Sequence, residues 1–172
     1  MNKSYGCERN FITSQKFLLN CALKFYTMER LFRAFWYLSV IIVFFGLVYS
    51  FAALPEFVQY LEGKEAVNKD IYFYYALAIV ASSNFVLYAM ARKFITSSSS
   101  LTLSNVLQSW LYALNSSLNL FFFVSLMFVM MHNSNENWNY EMLGYGIYAT
   151  IGLIFICTLS LPVLIFQANN NK

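Results

Sequence analysis

At 172 residues the chain is long enough for one domain, and with 59% hydrophobic and 11% charged residues it is too apolar for a soluble fold, in which about 25% of residues are charged. Its net charge of +3 does not indicate nucleic-acid binding, because most of the basic residues are collected before the first apolar stretch. Three long uncharged segments, between Arg33 and Glu56, between Lys93 and Glu136 and between Glu141 and Lys172, each have room for a spanning helix of roughly 20 residues, so the composition predicts an integral membrane protein.

The N-terminal segment, residues 1–33, is basic and has two interpretations. Apolar residues recur near helical spacing from Phe11 to Phe32 with lysines among them, a pattern typical of a basic amphipathic helix lying on a membrane surface. Alternatively, the chain starts at Met28 and residues 1–27 are not native, because "MERLFRAFWYLSV" is a complete beginning for a membrane protein whose N-terminus lies on the cytoplasmic side. A secretory signal peptide is not expected, since no small-residue cleavage site follows the apolar run.

Four apolar spans form the predicted transmembrane domain, residues 34–167. The spans cover about 34–54, 71–91, 106–131 and 142–166. Pro55 closes the first span, and Pro162 lies late in the fourth, where it should kink or end the helix. Because the connections are short, consecutive helices should be antiparallel neighbours, which predicts an all-α, up-down bundle of four helices with residues 168–172 as a disordered tail.

The distribution of lysine and arginine predicts that both termini are cytoplasmic. One side of the membrane would carry Lys3, Arg9, Lys16, Lys24, Arg30, Arg33, Arg92, Lys93 and Lys172, and the other only Lys64 and Lys69. The chain is therefore expected to be a multi-pass membrane protein surrounded by lipid.

The predicted spans contain no Asp, Glu, Lys, Arg or His at depth, where such residues usually mark ion sites, proton relays or catalysis. We therefore expect no catalytic residue, no metal site, no cofactor and no enzymatic activity. His132 lies at the outer end of the third span and is interpreted as an interfacial residue. Cys157 is interpreted as a small core residue, and the three cysteines (7, 21 and 157) have no ligand-like spacing.

Polar side chains in and before "YALNSSLNLFFF" (112–123) form the candidate site. Within about one third of the third helix's circumference fall Gln108, Tyr112, Asn115, Ser116 and Asn119. Such a stripe must face protein or water. From a rise of about 1.5 Å per residue, Asn84 in the second span and Thr158 in the fourth lie at the depth of Asn115. We predict an intramembrane polar cluster of Asn84, Gln108, Asn115, Ser116, Asn119 and Thr158.

Two functions fit this cluster. The favoured one is structural: hydrogen bonds worth around 0.6 kcal/mol each join the helices, and small residues at four-residue spacing let them approach closely. Those small pairs are Gly46 and Ser50, Ala78 and Ser82, and Ala113 and Ser117. This predicts a non-enzymatic accessory or scaffold component that packs against itself or a larger membrane-protein partner. The alternative is a small carrier or a lipid- or quinone-binding protein that uses the polar stripe.

The first connection, "PEFVQYLEGKEAVNKD" (55–70), is interpreted as a solvated acidic connector with a turn at Gly63. A surface that binds a partner is the alternative for the same residues.

The chain from Met28 onward resembles small bacterial four-span inner-membrane proteins of uncharacterised function. The resemblance is carried by "RLFRAFWYLSV" (30–40), "LP" at 54–55, "LNSSLNLFFF" (114–123) and "LP" at 161–162. It implies a four-span architecture in a bacterial inner membrane, and it implies no activity, cofactor or site residue.

Overall fold

The computed structural model describes residues 5–59, 65–97, 101–134 and 141–170, and the side chains of 29–59, 65–93, 103–134 and 143–166. Within these ranges the chain forms helix α1 (Tyr5–Ala53), strands β1 (Phe57–Val58) and β2 (Val67–Asn68), and helices α2 (Lys69–Ser97), α3 (Leu101–His132) and α4 (Glu141–Asn170).

Each of the four helices is long and apolar enough to cross a membrane. The candidate spans are Glu29–Ala53, Lys69–Lys93, Leu103–His132 and Leu143–Phe166. A helix satisfies its backbone hydrogen bonds internally, as lipid requires. The prediction of four helices that are each long and apolar enough to span a membrane is therefore confirmed.

Helix α1 is continuous over 49 residues, so the expected division between an N-terminal segment and the first span is not a break in the backbone. Residues 7–45 contain neither proline nor glycine, and nothing in them disfavours a helix strongly. The helix ends at Ala53, with the Leu54 amide still donating to the Ser50 carbonyl at 2.9 Å. Pro55 stops it there, because proline disfavours helical backbone at the residue before it.

Helix α3 is the central helix. It packs against α1, α2 and α4, whereas α1 and α2 contact each other much less, and α4 packs on α3 alone among the residues that the structure describes. Two apolar clusters lie along α3: one contains Trp36, Ala91, Leu111 and Tyr112, and the other contains Val43, Leu47 and Leu126. The candidate span with the most polar residues thus has protein on most of its faces, as the cost of exposing polar groups to lipid requires.

A close approach between α1 and α3 occurs at Gly46. A Cβ atom there would lie 2.7 Å from Cδ2 of Phe123, closer than two carbon atoms pack. Of the other small residues at four-residue spacing, Ser50 and Ser117 are buried, whereas Ala78 and Ser82 are exposed on α2.

The first connection is partly docked rather than wholly solvated. Strands β1 and β2 pair antiparallel, and the Asn133 side chain at the end of α3 binds the backbone beside β1. The Gln59 amide donates to Asn133 Oδ1 at 2.7 Å, and Asn133 Nδ2 donates to the Gln59 carbonyl at 2.8 Å. Val58 is fully buried beneath them (0% exposed). The predicted turn at Gly63 lies outside the described residues.

Helix α4 continues through Pro162 to Asn170, so Pro162 does not end it. Five residues before Pro162, the Cys157 carbonyl accepts hydrogen bonds from Trp110 Nε1 at 2.7 Å and from Ser160 Oγ at 2.6 Å, which joins this part of α4 to α3.

Candidate functional site

Two asparagine amides, the half-buried Asn84 of α2 and the buried Asn119 of α3, bind each other reciprocally. Asn84 Nδ2 donates to Asn119 Oδ1 at 2.8 Å, and Asn119 Nδ2 donates to Asn84 Oδ1 at 3.1 Å. An amide side chain carries both donors and acceptors, so two of them form a self-complementary pair. Asn119 is 0% exposed, which removes competition from solvent.

Helix α1 contributes two further groups to this pair. Trp36 Nε1 donates to Asn84 Oδ1 at 3.1 Å, and Asn119 Nδ2 donates to Ser39 Oγ at 2.9 Å. The Ser39 hydroxyl in turn donates to the Trp36 carbonyl at 2.8 Å. Trp36, Ser39, Asn84 and Asn119 together are called the three-helix junction below.

The hydrogen-bonding capacity of the junction is almost completely used. The second N–H of Asn84 Nδ2 reaches the Val80 carbonyl at 2.9 Å, so both of its donors are bonded and its oxygen accepts two bonds. Both donors of Asn119 are bonded as well. Satisfaction of this kind is required of polar groups buried in an apolar surrounding.

Sequence reasoning found the two asparagines but missed Trp36 and Ser39. These residues are separated by one helical turn in the first span, so their polar groups lie on one face of α1. A hydroxyl and an indole N–H on one face of the first span were the signal.

The polar stripe of α3 also includes Gln108, Tyr112 and Asn115, which are buried, but one hydrogen-bond acceptor of Asn115 has no partner. Gln108 Nε2 donates to Tyr112 Oη at 3.3 Å. Asn115 is 1% exposed, and its Oδ1 atom has no hydrogen-bond partner. Leaving a buried acceptor unpaired costs about 1–3 kcal/mol. Asn115 is therefore a buried polar residue that the junction does not include.

Among the side chains that the structure describes, two predicted members of the cluster bind only their own helix. Ser116 Oγ donates to the Tyr112 carbonyl at 2.9 Å, and Thr158 Oγ1 donates to the Ile154 carbonyl at 2.8 Å. Thr158 is exposed, which corrects its assignment to the cluster. Equal depth does not ensure contact: the Cys157 carbonyl of α4 binds Trp110 of α3, whereas the neighbouring Thr158 side chain is exposed.

The chemistry of the junction is that of neutral amide, indole and hydroxyl groups. In the described ranges, no three His, Cys, Asp or Glu side chains lie close enough together to hold a metal ion. The His132 ring stacks on Phe128 with centroids 6.3 Å apart, and Cys157 is a half-buried free thiol. What the junction offers is hydrogen bonding between helices.

Comparison of the chain with protein-family models, with curated proteins and with solved structures finds no match in any of the three. The role of the protein is therefore inferred from its own residues.

Proposed function

We propose that this protein is a non-enzymatic accessory or scaffold component of a membrane, which packs against a second copy of itself or a larger membrane protein. The observation that carries the proposal is the closure of the three-helix junction. A binding site keeps donors and acceptors for its ligand, whereas Asn84 and Asn119 use theirs on Trp36, Ser39 and each other.

The unpaired apolar surface of α4 supports the same proposal. Large side chains on it are more than half exposed, among them Tyr145, Tyr148, Phe155 and Ile156. In a bilayer such a surface contacts lipid or a further helix equally well, because lipid tails are as apolar as the side chains. A scaffold needs a helix whose outer faces remain available, and α4 packs on α3 alone among the described residues.

We further propose an up-down arrangement with both termini on the cytoplasmic side. Contacts along α3 support it, since α4 meets α3 in reverse order: Trp110 binds the Cys157 carbonyl, whereas Val124 lies against Gly146. The excess of lysine and arginine in the flanks supports the orientation. The resemblance of the chain to small four-span proteins supports the bacterial inner membrane as its location.

Native mass spectrometry of the full chain, extracted from its own membrane in mild detergent, tests the scaffold proposal. We expect a homo-oligomer or a reproducible second polypeptide. A monomer that holds a stoichiometric quinone or solute, and loses it in Asn119→Leu, would contradict the proposal because the junction would then bind a ligand.

A second candidate function is a small carrier or a lipid- or quinone-binding protein that uses the stripe of α3. One observation favours it: the unpaired, buried Oδ1 of Asn115 can accept a hydrogen bond from a bound molecule. Under this candidate, Asn115→Leu abolishes binding or transport and leaves the fold intact. Under the scaffold proposal, the same substitution changes only stability.

A further inference from the structure

One end of the helices combines basic residues with an aromatic cluster. Phe32 of α1 and Ala91 of α2 belong to the cluster that contains Trp36 and Tyr112, so the residues that follow them in the chain, Arg33 and Arg92, lie at the same end. Arg30 and Lys93 are their near neighbours in sequence, and Glu29 is the one acidic residue among residues 29–33 and 91–93. This group of residues is called the basic end below.

Arg33 is held in a defined position at the basic end. Its guanidinium carbon lies 5.7 Å from the centroid of the Tyr112 ring, and its Nη2 atom binds Glu29 Oε1. The side chain is nevertheless 43% exposed. Its buried Nε has no hydrogen-bond partner. A guanidinium has five N–H donors in a rigid fork, and the contact with Glu29 engages one of its nitrogens.

The location of Arg33 matches the depth of lipid headgroups. Arg33 is the last charged residue before the uncharged residues 34–55, so it lies where the apolar stretch of α1 begins. Trp36 and Tyr112, whose rings are 5.4 Å apart, lie next to it, and aromatic residues of this kind are enriched at membrane interfaces. Leu31 and Phe35, on either side of Arg33 in sequence, are about half exposed and provide apolar surface for acyl chains.

We propose that the basic end binds an anionic phospholipid, with the exposed part of the Arg33 guanidinium donating to the headgroup phosphate. Charge complementarity selects this occupant: four basic residues face one acid, and basic sites between membrane helices are suited to anionic headgroups. Arg33 is the specific donor because the Tyr112 ring and Glu29 orient it in advance, and a planar fork matches phosphate geometry. The site is separate from the junction and goes beyond the scaffold role.

A charge-conserving pair of variants tests the proposal. The full chain is placed in phosphatidylcholine nanodiscs with increasing phosphatidylglycerol, and the lipids retained after release are counted by native mass spectrometry. Arg33→Lys keeps the net charge but removes the fork. Lys69→Arg also keeps the net charge and is the control, because Lys69 is the first residue of α2, at the opposite end of the helix from the basic end. We expect the wild-type protein to retain phosphatidylglycerol in preference to phosphatidylcholine, Arg33→Lys to weaken that preference about fivefold to tenfold, and Lys69→Arg to leave it within about twofold.

Three results would overturn the proposal. Equal effects of the two substitutions would mean that a general positive field attracts the lipid, and no preference in the wild-type protein would mean that no site exists. Displacement of phosphatidylglycerol by millimolar inorganic phosphate would mean that the occupant is a free anion. Thermal unfolding of both variants in the same nanodiscs confirms that the fold is retained, so that a loss of lipid by Arg33→Lys reports on the site.

Discussion

Asn115 and Asn119 are a matched pair of buried asparagines on α3 that should respond to the same substitution in opposite ways. Both are at most 1% exposed, and they are separated by one helical turn. Asn119 makes two hydrogen bonds with Asn84 and one with Ser39, whereas Asn115 Oδ1 has no partner. Leucine has the branched shape of asparagine without its polar group, and the added volume is the same at both positions, so replacing each by leucine compares a satisfied amide with an unsatisfied one.

The expected effects follow from these contacts. Asn119→Leu removes three hydrogen bonds at about 0.6 kcal/mol each, which is about 2 kcal/mol. It also leaves one N–H of Asn84 unpaired, which adds about 1 kcal/mol or more. Asn115→Leu removes an acceptor whose burial costs about 1–3 kcal/mol, so this variant should be neutral or more stable by about 1 kcal/mol. The two variants should therefore differ in unfolding free energy by about 3 kcal/mol.

Reversible unfolding in mixed micelles, with increasing dodecyl sulfate and helix content followed by circular dichroism, measures these free energies. The double variant Asn84→Leu/Asn119→Leu is the control, because two residues in contact should lose less together than the sum of the single losses. If Asn115→Leu destabilises as much as Asn119→Leu, the Asn115 oxygen has a partner in the membrane and its assignment as unsatisfied is wrong. If Asn119→Leu is neutral, the junction does not hold the helices together.

Two further predictions concern packing and the first connection. Gly46→Ala should destabilise the fold by about 1–3 kcal/mol in the same unfolding assay, because the new methyl group meets the Phe123 ring. Gly152→Ala is the control: nothing lies within 4 Å of its Cβ position, so it should be neutral or stabilising by up to about 1 kcal/mol. Equal losses of stability in the two variants would contradict the close approach of α1 and α3 at Gly46. Asn133→Ala should speed hydrogen exchange of the Gln59 amide at least tenfold, because its acceptor is removed, and an unchanged rate would show that the connection is held by other contacts.

The depth of a polar residue could be predicted from the sequence, but its partner could not. The rise per residue placed Asn84 at the height of Asn115, whereas the structure brings Asn84 into contact with Asn119, one helical turn further along α3. The same reasoning failed for Thr158, because the side of α4 that meets α3 depends on contacts such as Trp110 with the Cys157 carbonyl. Depth is a one-dimensional property of the chain, whereas the rotation of a helix about its axis depends on its neighbours.

The docking of the first connection was not predictable for a related reason. Asn133 lies in "MMHNSNEN", which reads as a polar end of a helix, and its amide acts here as a substitute for a backbone peptide by binding both the N–H and the carbonyl of Gln59. An asparagine has the same donor and acceptor groups as a peptide bond. Which peptide it binds depends on the tertiary approach of β1 to α3, about which the local pattern carries no information.

The helices also differ in the polar contacts that each makes with other helices. Helices α1, α2 and α3 share the junction, and membrane helices associate through such hydrogen bonds and close packing rather than through a hydrophobic driving force. Helix α4 meets α3 by the contact between Trp110 and the Cys157 carbonyl and by the approach of Gly146 to Val124, and its hydroxyl Thr158 bonds within its own helix. Under the scaffold proposal, α4 is therefore the helix that exchanges lipid for a partner, because its exposed side chains are mostly large and apolar and it takes no part in the junction.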